Sequence, residues 1–529
     1  MAINRILPQI DHVVMVMLEN RSLDNLLGWL YEPGKKPQPH YIPANNTTAY
    51  DGLVGLNFSN PLKPHFYSRI KNYPVVQGTG SDGFNVPDWD PNEDFKNVMA
   101  QIFGDATHQP KAQPASGTVP TMKGFLQNFD ADYMTWDAAL QSMKTYSSSQ
   151  ARVINGLAQM GAVSDRWYSS LPSQTNPNRA FSLCGSSLGR TSNLHLTAIE
   201  QFPVKTIWNA LQELPGQKVD WALYYHDIWQ EDLCYTQYTF PYIDKDKSNT
   251  DVIEEIGTPG ATPQTATGFY KRAMEGNLPA FTYIEPKWGY GLNQDLPKYK
   301  QGNDYHPPTD IRPGEQFLHD LTKAVMYNQA KWEKTLFIIT FDEHGGTLDH
   351  HSPACTAPNP NVTPNPNPQS TPFNWELYGV RVPTILISPF IKPGTVFRAD
   401  GALPYDHTSL VATLLKWKGI DPASVNMGDR VKTAPTFEDV LQPTLQPGWD
   451  INNIPVPVSD GPSIDDISPI DEIIDGLPTA IARCLTENSG SLEHLREQVK
   501  RYNDSGELPK EKFANKTSCL RSFKKSKRP

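Results

Sequence analysis

The sequence predicts an α/β fold built on a mostly parallel sheet. Two observations predict it. Three short apolar runs each stop abruptly in polar residues: 13–18 (VVMVML) before Glu19-Asn20-Arg21-Ser22, 336–341 (LFIITF) before Asp342-Glu343-His344-Gly345-Gly346, and 382–387 (VPTILI) before Ser388-Pro389. Continuous apolarity, rather than alternation, is what strands of a parallel sheet covered on both faces require. Between them lie stretches of helical spacing, at 315–332 and at 409–417, the latter ending before Gly419. Strands alternating with helices make an α/β unit.

The composition limits what this unit can do. There are 47 Lys+Arg against 57 Asp+Glu, a formal net charge of −10. Non-specific nucleic-acid binding draws on cationic neutralisation of phosphates, so that class is excluded as an expectation. Five cysteines, an odd number with no Cys-x-x-Cys pair, give neither a disulfide framework nor a thiolate zinc site. No run approaches the roughly 20 apolar residues needed to cross a bilayer. Glu19-Asn20-Arg21 follows the N-terminal apolar stretch where a cleavage site would need small residues, so no classical signal peptide is expected; the location is cytoplasmic, or exported by a non-classical route.

Proline is in surplus, at 48 residues. Residues 31–122 and 353–374 read as long loops, the second carrying seven prolines. A helical stretch is expected at 471–502, and the chain ends in a basic tail, SFKKSKRP.

Ligands of open α/β sheets bind beyond the carboxyl ends of the strands. Two strand ends here deliver acids, and if those strands are neighbours, Glu19, Asn20, Asp342 and Glu343 converge. Clustered buried carboxylates repel one another, and a divalent metal ion is the economical remedy. An oxygen-rich set favours Mg²⁺, Ca²⁺ or Mn²⁺, and the nearby histidines keep Zn²⁺ open. The alternative is that these acids cap helices or face solvent. Imidazoles at His306, His344, His350 and His351 suit ligation, hydrogen bonding to a phosphoryl oxygen, or protonation of a leaving group, with Asp349 placed to orient His350. At 173–179 (SQTNPNR) a hydroxyl residue two before a proline suits a helix start with free N–H groups for an anion, and Arg179 adds a fork of donors.

These residues resemble a known family. ENRSLD at 19–24 resembles the ENRSFDH motif of the bacterial, fungal and plant non-specific phospholipases C and the related respiratory-burst-inhibiting acid phosphatases; TNPNR at 175–179 matches TxPNR, DEHGGTLDH at 342–350 fits DExxGxxDH, and GVRVP through Ser388-Pro389 fits GxRVPxxxxSP. Weaker echoes lie at 281–286, 303–306 and 405–409.

The resemblance implies an alkaline-phosphatase-like three-layer sandwich with loop insertions. A catalytic domain would span 1–430, followed by a C-terminal extension of unknown role at 431–529. It implies metal-assisted hydrolysis of a phosphoester, with Glu19, Asn20, Asp342 and Glu343 holding the metal. Thr175 would be the nucleophile, His306 and His350 would contact the phosphoryl group and protonate the leaving oxygen, and Asn178, Arg179 and His344 would bind substrate.

The chain departs from the family pattern twice. Asn25 stands where the first motif has histidine, and Asp90-Pro91-Asn92-Glu93 stands where many members read aspartate-proline-glycine-histidine, so Glu93 enters the substrate site. An acid there suits another cation or a cationic headgroup such as choline. The leading expectation is a phospholipase C of lipid metabolism, acting on phosphatidylcholine and similar phospholipids through transient contact with a membrane surface. The alternatives are an acid phosphatase or phosphodiesterase on soluble esters and, less favoured, an inactive lipid-binding protein.

Overall fold

A computed structural model describes residues 9–462 and 464, apart from 33–37, 47, 64–68, 80–81, 89, 109, 111–113, 116, 134–135, 194–200, 214–218, 229–231, 290–300 and 362–372. Its centre is a nine-stranded sheet: β1 (His12–Leu18), β2 (His40–Ile42), β3 (Ala162–Ser164), β4 (Trp221–Tyr225), β5 (Val252–Glu255), β6 (Phe281–Ile284), β7 (Thr335–Phe341), β8 (Thr384–Ile387) and β9 (Thr395–Phe397), in the order β5-β4-β6-β1-β7-β8-β3-β9-β2. Val13 to Leu18 and all of β7 are buried, which requires cover on both faces. Each such apolar side chain contributes about 1.5–3 kcal/mol of gross burial energy, offset by ordering entropy.

Two helix groups supply that cover. On one side α1 (Leu23–Leu27), α3 (Arg152–Met160), α6 (Gly268–Glu275) and α7 (Arg312–Tyr327) pack together; on the other, α4 (Thr175–Cys184) and α5 (Ile207–Gln212) pack against α8 (His407–Trp417). The expected helices at 315–332 and 409–417 are present, the first followed by a short second helix at Gln329–Trp332.

The third apolar run, expected as a parallel strand, runs the other way. β8 pairs antiparallel with both β7 and β3, while every other pair in the sheet is parallel. The reason is the connection. A parallel partner needs a crossover that carries the chain back to the other end of the sheet. Here the chain leaves β7 at its carboxyl end and enters β8 from that same end.

Residues 31–122 are more than loop. Residues 59–62 and 71–74 pair antiparallel, α2 (Phe95–Phe103) follows, and Phe58, Leu62, Phe95, Val98, Met99, Ile102, Met122 and Phe125 form a second core with Leu348 and Val380. This insertion sits against the turn that follows β7: a Cβ on Gly346 would lie 2.7 Å from Pro91 Cβ and 2.8 Å from Asn92 O.

After residue 430 the chain runs back over the body. Trp449 packs edge-on against Trp332 at 5.4 Å between ring centres, and His319 Nδ1 donates to Pro455 O at 2.8 Å. Arg312 reaches Ser459 Oγ and Asp460 O, each at 3.0 Å. The expected helix at 471–502 and the basic tail lie outside the described residues. Among the described residues no helix is long and apolar enough to cross a membrane.

Candidate active site

The register of the two central strands builds the site. β1 and β7 pair in parallel, with Leu18 opposite Phe341, so the next residues, Glu19-Asn20 and Asp342-Glu343, emerge side by side. Asp342 N donates to Leu18 O at 3.2 Å, and Asn20 N donates to Asp342 Oδ1 at 3.2 Å. Asn20 holds a left-handed φ of 57°. Gly345 lies so close that a Cβ there would come within 2.3 Å of Asn20 O, which is why the turn after β7 carries glycine.

α4 delivers the hydroxyl. Gln174 caps this helix and Gly185, at φ 74°, closes it; Pro177 is tolerated because a first-turn N–H has no intrahelical partner. Thr175 Oγ1 donates to Glu19 Oε2 at 3.1 Å. One turn later, Arg179 donates from Nε to Glu19 Oε1 at 3.0 Å and from its terminal nitrogen to the same oxygen at 2.5 Å, and it lies 3.4 Å from Asp342 Oδ2. Its guanidinium also donates to Tyr283 Oη at 3.1 Å and rests 4.7 Å from the centre of the Trp288 ring.

Electrostatics are severe. Burial pushes the Glu19 carboxyl well above its usual range and Asp342 adds repulsion, while Arg179 opposes the rise. Glu343 is likewise raised, by burial, then Asp342, then Glu93. Burial takes Asp304, whose carbonyl accepts from Glu19 N at 2.8 Å, up to about 6.

Asn20 Oδ1, Asp342 Oδ2 and Glu343 Oε1 are buried without a hydrogen-bond partner. Each unmatched acceptor costs about 1–3 kcal/mol, and a divalent cation is the group that would satisfy oxygen donors of this kind. The oxygen chemistry of Asn20, Asp342 and Glu343 suits such a cation, while both oxygens of Glu19 are engaged by Thr175 and Arg179. Among the described residues, the sets of three acidic or imidazole side chains with ligand atoms within 4.8 Å of one another are Asp51-His350-His351 and Asp24-Asp349-His350; Glu19, Asp342 and Glu343 do not draw together that closely. Arg381 pairs with Asp24 at 3.1 Å and Asp349 at 2.9 Å, and Arg166 pairs with Asp51, so those acids already have cationic partners.

Several expected roles change. Asn178 is not aimed at a substrate: its side chain accepts from Leu171 N and donates to Leu171 O, Ser173 O and Gln174 O, fixing the loop before Thr175. Arg179 is buried behind Glu19 and spends its donors on protein acceptors. Of the helix-start N–H groups, that of Asn176 is taken by Asn193 Oδ1 at 2.7 Å, and Pro177 has none. His344 is neutral, pulled down to about 3 by burial; it donates from Nε2 to Gln101 Oε1 at 2.8 Å.

His350 is held by Asp24 on Nδ1 at 2.6 Å and by Asp51 on Nε2 at 3.1 Å, so both ring nitrogens are engaged, and Asp349 is not the residue that orients it. His306 sits two residues beyond Asp304 and donates from Nδ1 to Pro307 O at 2.5 Å. Glu93 lies at the mouth, 3.4 Å from Gln174 Nε2.

Sequence reasoning missed Gln101, Gln174, Tyr235, Trp288 and the role of His407. Tyr235 donates to Asn176 Oδ1, its ring lies 4.5 Å from that of Trp288, and His407 Nε2 donates to Asp342 O at 2.5 Å. The spacing of Phe95, Val98, Met99 and Ile102 is the signal that could have placed Gln101 on a helix.

The profile of the Phosphoesterase family matches residues 10–420. Non-specific phospholipase C5 of Arabidopsis thaliana is 30% identical over 437 residues, covering 82% of this chain and 74% of its own length. Non-specific phospholipase C6 of the same plant is 31% identical over 83% of this chain and 74% of its own. Phospholipase C B of Mycobacterium tuberculosis is 24% identical over 76% and 72%. A solved structure described as a protein in the alkaline phosphatase superfamily, from Vibrio parahaemolyticus, aligns with 54% of this chain and 64% of its own at 16% identity and a TM-score of 0.28.

Proposed function

The chain belongs to the Phosphoesterase family, and from that premise we propose that it is a phospholipase C, cleaving phosphatidylcholine and similar phospholipids to diacylglycerol and the phosphorylated headgroup. The observation that carries the reading is the Thr175 hydroxyl bonded to Glu19 amid acids and an amide with unmatched oxygens. Glu19, Asn20, Asp342 and Glu343 would hold a divalent metal ion, which would supply Lewis-acid stabilisation of phosphoryl oxygens and a lowered pKa for the hydroxyl. Mg²⁺, Ca²⁺, Mn²⁺ and Zn²⁺ are the candidates.

Thr175 Oγ1 attacks phosphorus as its proton passes toward Glu19 Oε2. The glycerol oxygen leaves as the alcohol of diacylglycerol, and the phosphorylated headgroup remains on Thr175 until water displaces it. Arg179 keeps Glu19 aimed at the hydroxyl. His306 is the candidate for protonating the leaving oxygen, and His350 acts through its ion network as a positioning residue. Asn178 positions the nucleophile loop.

Of the exposed large apolar residues among those described, Leu56, Ile70, Val76 and Val119 fall within 31–122, and Ile228, Tyr327, Leu445, Val456 and Val458 lie elsewhere along the chain. The test is to incubate metal-replete protein with phosphatidylcholine and with a soluble phosphate monoester. Diacylglycerol with phosphocholine supports the reading; free phosphate from the monoester alone replaces it with an acid phosphatase.

A further inference from the structure

We propose that His407 is a positioning residue for the reaction: by donating to the carbonyl of Asp342 it holds the peptide that joins Asp342 to Glu343, and so aims both acids. The inference rests on the metal-assisted reading above and gives a task to residues 405–409, which the reaction scheme does not use.

The chemistry of its two partners fixes the tautomer of the ring. His407 opens α8 and is fully buried. Its Nε2 lies 2.5 Å from Asp342 O, and its Nδ1 lies 3.5 Å from Trp167 Nε1. A carbonyl only accepts and an indole N–H only donates, so the ring proton sits on Nε2 while Nδ1 accepts from the indole. The supports of the ring are themselves held. Tyr405 and Asp406 pair in parallel with Trp167 and Tyr168, and the Trp167 ring stacks on Tyr405 at 5.3 Å between centres. Asp406 caps α8, accepting from Thr408 N at 3.1 Å.

What the ring grips gives it the role. Asp342 and Glu343 share the held peptide, and Asp342 Oδ2 and Glu343 Oε1 are buried without a hydrogen-bond partner. A turn of that peptide would swing both carboxylates together, since Glu343 N also donates to Asp342 Oδ1 at 2.7 Å. The sheet secures one side, where Asp342 N donates to Leu18 O at 3.2 Å. His407 secures the other from α8, which packs on α4, the helix of Thr175 and Arg179. One imidazole thus ties the acids to the layer that carries the nucleophile. A divalent cation binds best to oxygen donors already aimed, and neighbours that orient such donors typically change its affinity by about ten- to a hundredfold.

The test sets His407→Leu, which removes the donor, beside His407→Gln, whose amide nitrogen takes the place of Nε2 and restores it. Mn²⁺ is titrated calorimetrically into the metal-free full-length proteins, and each metal-free protein is melted. His407→Leu is expected to bind Mn²⁺ about tenfold more weakly than the wild type, and His407→Gln to stay within about threefold of it. The kcat for a phosphodiester should follow the same order with KM nearly constant, because a fully buried ring reaches no substrate. A His407→Leu protein that melts lower but binds Mn²⁺ as tightly as the wild type overturns the proposal and leaves the residue a structural one; so does a His407→Gln protein as weak as His407→Leu. If the leucine variant does not fold, His407→Asn replaces it: its amide is one methylene short of the carbonyl, so weaker Mn²⁺ binding than in His407→Gln supports the inference and equal binding overturns it. A wild type that binds none of Mn²⁺, Mg²⁺, Ca²⁺ and Zn²⁺ overturns the metal reading and this inference with it, a result distinct from any pattern among the variants.

Discussion

Thr175 and Arg179, one helical turn apart on α4, grip the two oxygens of a single carboxylate: the hydroxyl lies 3.1 Å from Glu19 Oε2 and the guanidinium Nε 3.0 Å from Glu19 Oε1. The i, i+4 spacing of one helix therefore ties the candidate nucleophile to the end of β1. Because Glu19 is shared, its orientation and that of the hydroxyl are set together.

Thr175→Ala is expected to lower kcat for a phosphodiester by about a thousandfold or more while leaving thermal stability close to wild type, since the lost hydroxyl makes one hydrogen bond at the rim of the site. Thr175→Ser should retain part of the activity. Steady-state kinetics and a thermal melt decide it; an alanine variant that turns over normally removes Thr175 from the mechanism.

Asn178→Ala should behave differently. The amide anchors Leu171, Ser173 and Gln174 from within a fully buried position, so its removal leaves several backbone groups unmatched. A loss of roughly 2 kcal/mol in stability is expected together with a fall in kcat, and little change in KM, because the residue positions the nucleophile and does not touch substrate. Urea denaturation and kinetics together check this. A raised KM with unchanged stability would restore the direct substrate contact.

Much of this arrangement was legible in the sequence because buried parallel strands end abruptly, and the polar residues after 18 and 341 stand out against apolar runs. Direction was not legible. Continuous apolarity marks burial on both faces but carries no sign for the way a strand runs, so β8 was expected as parallel. His350 shows a second limit: Asp349 is its neighbour in sequence, but Asp24 and Asp51, about three hundred residues away, hold the ring. Gln101 is a third case, since a polar residue on an amphipathic helix that also carries Lys96 and Asn97 looks like surface until its side chain is found bonded to His344.

Gly345→Ala is expected to disable the site without touching a reacting group. The backbone there has φ 59°, and an added Cβ would meet Asn20 O at 2.3 Å and Asn20 Cβ at 2.5 Å. Strain of this kind costs about 1–3 kcal/mol, and relief requires Asn20 to move away from Asp342. A lower melting temperature with weakened Mn²⁺ binding by calorimetry is the expected result. Unaltered Mn²⁺ affinity would show that Asn20 is not a ligand.

The ion network around His350 gives a pH dependence that can be worked out. Burial disfavours the charged ring, but the Asp24 charge and the hydrogen bonds the ring donates to Asp24 and Asp51 outweigh it and push His350 up from 6.5 to about 9. A histidine whose folded value lies above its unfolded value contributes stability that is fully present below 6.5 and is lost as pH rises through about 9. The contribution is on the order of 3 kcal/mol at most, with one pKa unit corresponding to about 1.4 kcal/mol. Urea denaturation at pH 6.5 and pH 9.5 is therefore expected to show the wild type losing stability across the interval, whereas His350→Gln, with nothing to titrate there, should lose much less. The two proteins should differ most at the lower pH, where the ring is charged between its two carboxylates, and converge at the higher. Parallel losses in both would mean that the ring does not bridge Asp24 and Asp51 in solution.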